Sequence, residues 1–109
     1  MLNNSNCEKM VMSVIYDEQK EMALRDVMAK ANEKFNKKWK PQTVSTFLAR
    51  LVRKGYLRSE RKGRLTFYSP VYELNEYREK MCMEICNMFF RDVKEFKAYV
   101  TEIEEEKVR

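Results

Sequence analysis

The stretch WKPQTVSTFLARLVRKGYL, from Trp39 to Leu57, decides the fold. Read as a helix over 41–54, it places Val44, Phe47, Leu48, Leu51 and Val52 on one face. That is the i, i+3, i+4, i+7, i+8 spacing of an amphipathic helix. The opposite face carries Gln42, Thr43, Ser45, Thr46, Ala49, Arg50 and Arg53. These are mostly compact hydrogen-bonding side chains, with arginines toward the C-terminal end. Such a face suits plain solvation in an ordinary surface helix, or the reading of base edges in a major groove. Pro41 fits the first helical turn, where a missing N–H costs nothing. Gly55 fits the left-handed residue that closes a helix.

The sequence after Gly55 separates these two readings. Tyr56 to Glu60 and Leu65 to Ser69 have strand-like composition. Between them Arg61-Lys62-Gly63-Arg64 reads as a hairpin turn, with Gly63 available for positive φ. Before Trp39, Ser5 and Glu8 have capping-box spacing. The helix they open carries Cys7, Met10, Val11, Val14 and Ile15 on one stripe and is expected to end near Tyr16 or Asp17. Asp17 to Glu21 reads as a turn, and Met22-Ala23 as a very short strand. A second helix follows over about 24–35, with Leu24, Val27, Met28, Ala31 and Phe35 on one face. Trp39, in the basic connection after it, is expected to anchor the turn. Three helices followed by a basic-tipped hairpin is the order of a winged helix-turn-helix. There the third helix enters the major groove and the hairpin, the wing, lies along the phosphate backbone. The fold class is therefore mainly α with a small β-hairpin, and the winged domain is expected over 1–72.

Residues 73–109 are expected to form a helical dimerisation tail. From Glu73 to Glu106 there is neither Gly nor Pro. Tyr77, Met81, Ile85, Met88, Phe89, Val93, Phe96 and Val100 recur at steps of about three and four. The pattern fits one helix of roughly 50 Å at 1.5 Å per residue, or two helices with a bend. A domain of about 70 residues cannot cover so long a stripe, so a second copy of the same helix is the expected partner in a twofold dimer.

Composition narrows the function. The 109 residues are 36% charged and 44% hydrophobic, with a net charge of +5, which describes a globular chain that favours acidic partners. From Lys37 to Arg64 ten Lys or Arg face a single acid, Glu60. A basic segment of this kind around an amphipathic helix is the electrostatic footprint of a polyanion-binding surface. No N-terminal apolar segment resembles a signal peptide and no run reaches the ~18 apolar residues of a membrane span. A cytoplasmic protein with no membrane partner is expected. Histidine is absent and no Gly-rich phosphate loop or nucleophile constellation occurs, so nothing supports an enzyme and no cofactor or metal is expected. Three cysteines, at 7, 82 and 86, do not suggest a disulfide framework. Cys7 reads as a core residue. Cys82 and Cys86 lie four apart on one helix face. Such a pair fits small buried hydrophobes, or thiols that sense a soft metal or an oxidant. A winged protein-interaction adaptor without specific DNA binding is a further alternative, against which the excess of cations argues.

Several motifs resemble the penicillinase-repressor (BlaI/MecI) family of winged-helix regulators. They are Glu8-x-x-Val11-Met12, the run from Trp39 to Leu51, Lys54-Gly55-Tyr56-Leu57, and Phe67-Tyr68-Ser69-Pro70-Val71. The resemblance covers about residues 7–72. It implies a dimeric transcriptional repressor of double-stranded DNA carrying an inverted-repeat operator. Base contacts are then expected from Gln42, Thr43, Ser45, Thr46 and Arg50, with Thr43 equally suited to the helix N-terminus because Lys40 is a poor cap. Backbone contacts are expected from Lys40, Arg53, Lys54, Arg61, Lys62 and Arg64, the last three on a wing over 58–67. The family's tail is usually longer and built of several short helices. The paired C-x-C motifs of its copper-responsive members are absent, so no inducer or sensor protein carries over.

Overall fold

The computed structural model describes residues 5–108. Residues 1–4 and 109, which the expected domain ranges include, lie outside the described residues. The element order is α1 (Asn6–Glu18), β1 (Met22–Ala23), α2 (Leu24–Phe35), α3 (Pro41–Arg53), β2 (Leu57–Lys62), β3 (Leu65–Pro70), α4 (Leu74–Phe89) and α5 (Val93–Val108). The chain divides into two compact units, one running to Glu73 and one from Leu74 onward.

In the first unit each boundary has a local cause. Ser5 caps α1: its Oγ accepts from the Glu8 N–H at 3.1 Å. The helix runs one residue past the expected end and closes on Gln19 with φ 55°. α2 closes on Asn36, also left-handed at φ 53°, whose N–H bonds the Asn32 carbonyl. Pro41 sits in the first turn of α3, and Gly55, at φ 84°, takes the left-handed position after its C-cap. The two-residue β1 is not a free segment. Met22 pairs with Tyr68 and Ala23 with Phe67, which gives a three-stranded antiparallel sheet in the order β1-β3-β2. The hairpin turn is tighter than the four residues expected. The ladder continues to Lys62 opposite Leu65 and leaves only Gly63 and Arg64 in the loop. Gly63 has φ 64° while Arg64 stays at negative φ, the pattern of a type II′ turn with glycine in its first central position.

The core gathers one face from every helix of this unit. Val11, Met12, Val14 and Ile15 come from α1, Val27 and Ala31 from α2, and Val44, Leu48 and Leu51 from α3; Met22, Ala23, Tyr56 and Leu57 close it at the sheet. Cys7, expected in the core, is only half-buried. The one buried charged side chain among the described residues is Glu8.

The second unit is two helices. α4 ends as the Phe90 N–H bonds the Cys86 carbonyl at 2.9 Å. Asp92 then starts α5: its Oδ1 accepts from the Glu95 N–H at 2.9 Å, and Glu95 Oε2 accepts from the Arg91 N–H at 2.6 Å. This is a capping box shifted by one residue. The Phe90 ring packs on Phe96 and Tyr99, with centroids 5.0 and 5.6 Å away. Cys86 is buried and Cys82 exposed, both as free thiols. Of the residues expected to face a second copy, Tyr77 is already buried within the single chain, and Met81 and Phe96 are half-buried. Ile85, Met88, Phe89, Val93 and Val100 are exposed, Phe89 most of all at 73%. Among the described residues no helix is long and apolar enough to cross a membrane.

Leu48 is wholly buried at the centre of the three-helix core. Leu48→Ala is expected to cost about 2–5 kcal/mol through lost burial and a residual cavity. Urea unfolding followed by circular dichroism checks this, with the midpoint falling and the slope unchanged.

Candidate nucleic-acid interface

The interface begins with the rotation of α3 about its own axis. Val44, Leu48 and Leu51 are fully buried on one side. Gln42, Ser45, Thr46, Ala49, Arg50 and Arg53 are therefore exposed on the other. Thirteen residues at 1.5 Å give a rod of about 20 Å, and a major groove about 12 Å wide admits such a helix. Arg50 and Arg53 occupy its last turn, where cations favour the helix dipole. Thr46 donates its hydroxyl to the Gln42 carbonyl at 3.1 Å, so outward it offers a methyl group and acceptor lone pairs. Lys40, the N-cap, makes no side-chain capping bond, and Thr43 beside it is half-buried.

A polar clamp missed in the sequence sets the turn into this helix. Asn32 on α2 donates from Nδ2 to the Trp39 carbonyl at 3.1 Å, and its Oδ1 accepts from the Trp39 N–H at 2.9 Å. Its own carbonyl also accepts from Lys37. The Trp39 ring, half-buried, meets Phe47 edge-on at 5.1 Å. Trp39 thus anchors the turn, as its position suggested, but the clamp that holds its backbone is Asn32. The available signal was an asparagine four residues before the Asn36 that opens the turn; its bonding partner lies seven residues on.

The expected backbone-contacting cations have different fates. All six are exposed, and they differ in their pairings. Arg61 donates from Nε to the Gly63 carbonyl at 3.2 Å and so stiffens the wing tip. Lys54 is engaged by Glu8, its Nζ 2.8 Å from Oε1. Lys62 hydrogen-bonds Glu21, lies 3.5 Å from Glu60, and sits over the Phe67 ring. The hydrogen bond to Glu21 raises the Lys62 pKa above the ordinary lysine value, aided by the charges of Glu21 and Glu60. Neither Glu8 nor Glu21 lies in the basic segment. Both pairings join residues more than forty positions apart, and only the fold reveals them.

The penicillinase repressor family profile matches residues 4–108. The chain is similar to the penicillinase repressor of Bacillus licheniformis, 35% identical over 52 residues, which make up 48% of this chain and 41% of the relative. The matched segment thus spans less than half the length of that relative. The chain is also similar to the solution structure of monomeric Bacillus licheniformis BlaI in complex with the blaP half-operator. Identity is 31%, the TM-score 0.54, and coverage 68% of this chain and 87% of that one. A CopR repressor structure is similar at 36% identity and a TM-score of 0.52, over 66% of this chain and all of that one.

Glu21→Gln removes the chief cause of the Lys62 shift. The Lys62 13Cε signal in an NMR titration should then move to lower pH, toward the ordinary lysine range. The sign follows from the raised value: any stabilisation by the pair is present below the ordinary lysine pKa and is lost as pH rises through the folded one.

Proposed function

This chain belongs to the penicillinase repressor family, and from that premise we propose that it is a sequence-specific DNA-binding transcriptional repressor acting as a homodimer on an inverted-repeat operator. The single observation that carries the reading is the division of α3. Its inner side is locked into the core, and its outer side is a continuous exposed row of hydrogen-bonding side chains ending in two arginines. The similarity to a repressor solved with a half-operator supports placing that row against base edges. In this reading Gln42, Ser45, Thr46 and Arg50 face bases. Thr43 serves the first turn as much as a base. Lys40, Arg53, Arg61 and Arg64 meet phosphates, whose contacts position the protein without reading sequence. Repression follows from occupying the site where polymerase would bind.

The homodimer rests on the second unit. Ile85, Met88, Phe89, Val93 and Val100 leave large apolar surfaces in water, and contiguous exposed apolar surface marks an association site. A second copy is the proposed occupant, because it presents the same stripe and a twofold interface is self-complementary. Two recognition helices then meet half-sites centred about 10 bp apart, or a further turn apart. Cys86 is buried and fits a small core hydrophobe, while Cys82 is exposed.

Selection of random duplexes by the purified protein at two salt concentrations tests the function. The expected outcome is enrichment of an inverted repeat; salt-sensitive binding without an enriched motif would sink sequence-specific repression. Against the selected duplex, Arg50→Ala should cost about 1–3 kcal/mol and relax preference at one base position per half-site, as for a bidentate guanine contact. Val100→Asp places a charge on the exposed tail stripe. Light scattering should then report a monomeric mass at concentrations where the unaltered chain is dimeric.

A further inference from the structure

We infer that Glu8 is a positioning residue for the DNA-reading helix: its buried carboxylate holds Lys54 at the end of α3 and withholds that cation from phosphate. The inference rests on the DNA-binding reading above. Glu8 is 2% exposed, and a buried carboxylate is tolerated only when paired or hydrogen-bonded. Lys54 supplies the pairing at 2.8 Å. The first turn of α1, where Glu8 sits, also favours a negative charge through the helix dipole. Its backbone is held as well, since the Glu8 N–H bonds Ser5 Oγ.

The consequence lies at the other end of the pair. Lys54 is the C-cap of α3, and its N–H bonds the Arg50 carbonyl at 2.9 Å. Lys54 and Arg50 are four residues apart, one helical turn. The carboxylate therefore ties down the turn that carries Arg50 from a point 46 positions earlier in the chain. In the amino-acid sequence Lys54 counts among the free cations around α3. In the fold Lys54 is also exposed but its charge is engaged by Glu8, whereas Arg53 and Arg64 are exposed in the same way without that pairing.

Binding of the selected duplex and of a random-sequence duplex is measured by fluorescence anisotropy from 50 to 200 mM salt, with folding checked by circular dichroism. The unaltered chain is compared with Glu8→Gln and with Glu8→Gln/Lys54→Met, which replaces the pair by neutral side chains. In Glu8→Gln the freed Lys54 should steepen the salt slope by about 0.9, the value for one phosphate. The ratio of selected to random affinity should fall at least fivefold as the Arg50 turn loosens. The double variant should return the slope to that of the unaltered chain, whereas Glu8→Gln/Lys107→Met, which has the same net charge but keeps Lys54, should retain the steeper slope; a return there as well would reduce the effect to net charge and overturn the inference. A double-variant slope shallower by about 0.9 would show that Lys54 contacts phosphate and overturn the inference. So would an unchanged slope and ratio in Glu8→Gln. Should Glu8→Gln not fold, the slope of the double variant decides alone. Failure of the unaltered chain to bind any duplex is a distinct result that removes the DNA-binding reading itself.

Discussion

Everything in the first unit depends on which way α3 is turned. Val44, Leu48 and Leu51 decide it, because each is removed completely from water. At roughly 1.5–3 kcal/mol for each fully buried aliphatic side chain, rotating the helix by half a turn would sacrifice several kcal/mol. Exposed ion pairs typically contribute about 0–1 kcal/mol, so no surface interaction on the outer face can compete. The polar row from Gln42 to Arg53 faces outward because of what lies behind it. Its own chemistry has no part in the orientation and is left available for a partner.

Apolar burial sets rotation but leaves tilt and end positions soft, and polar contacts complete the definition. At the entry, Asn32 grips both the N–H and the carbonyl of Trp39, and the indole edge rests on Phe47 of the helix it introduces. At the exit, the Tyr56 N–H bonds the Leu51 carbonyl and Gly55 takes the left-handed turn. The chain can then enter β2 directly, which brings the wing close to the helix it accompanies. β1 stabilises the arrangement from the far side of β3. Two residues are enough there because their partners, Phe67 and Tyr68, already belong to a six-residue ladder.

Most of this was legible because it is local. The amphipathic spacing of α2 and α3, Pro41 at a helix start, Gly55 at its end and Gly63 in a turn are all decided within a few residues. So was the Met22-Ala23 strand as an element, though its pairing with β3 was not, since that spans the whole of α2 and α3. The break between α4 and α5 was also local, but periodicity left one long helix and two helices with a bend both open, and the structure has two. Gly and Pro are the obvious helix stops, and neither occurs there. The signal was Asp92 followed three residues later by Glu95, a start placed inside a pattern that the apolar stripe carries straight through. A helix can be ended by a well-made beginning of the next one. The site residues divide in the same way: the exposed row follows from periodicity, whereas Asn32, Glu8 and Glu21 act through partners that only the fold supplies.

The charge balance shows why that division matters for function. Ten cations against one acid between Lys37 and Arg64 describes a segment, and a partner meets a surface. The fold brings Glu8 and Glu21 in from the N-terminal quarter of the chain and sets them on Lys54 and Lys62. Both recruited carboxylates pair with cations outside the exposed row from Gln42 to Arg53. Arg50 and Arg53 lie in a helix without an acidic residue. The positive charge is thereby offset at the end of α3 and on the wing strand, and left unpaired by acids within α3 itself. A surface trimmed in this way gains less from indiscriminate phosphate attraction. Under the proposed reading, a larger share of its affinity would come from contacts that distinguish one base pair from another.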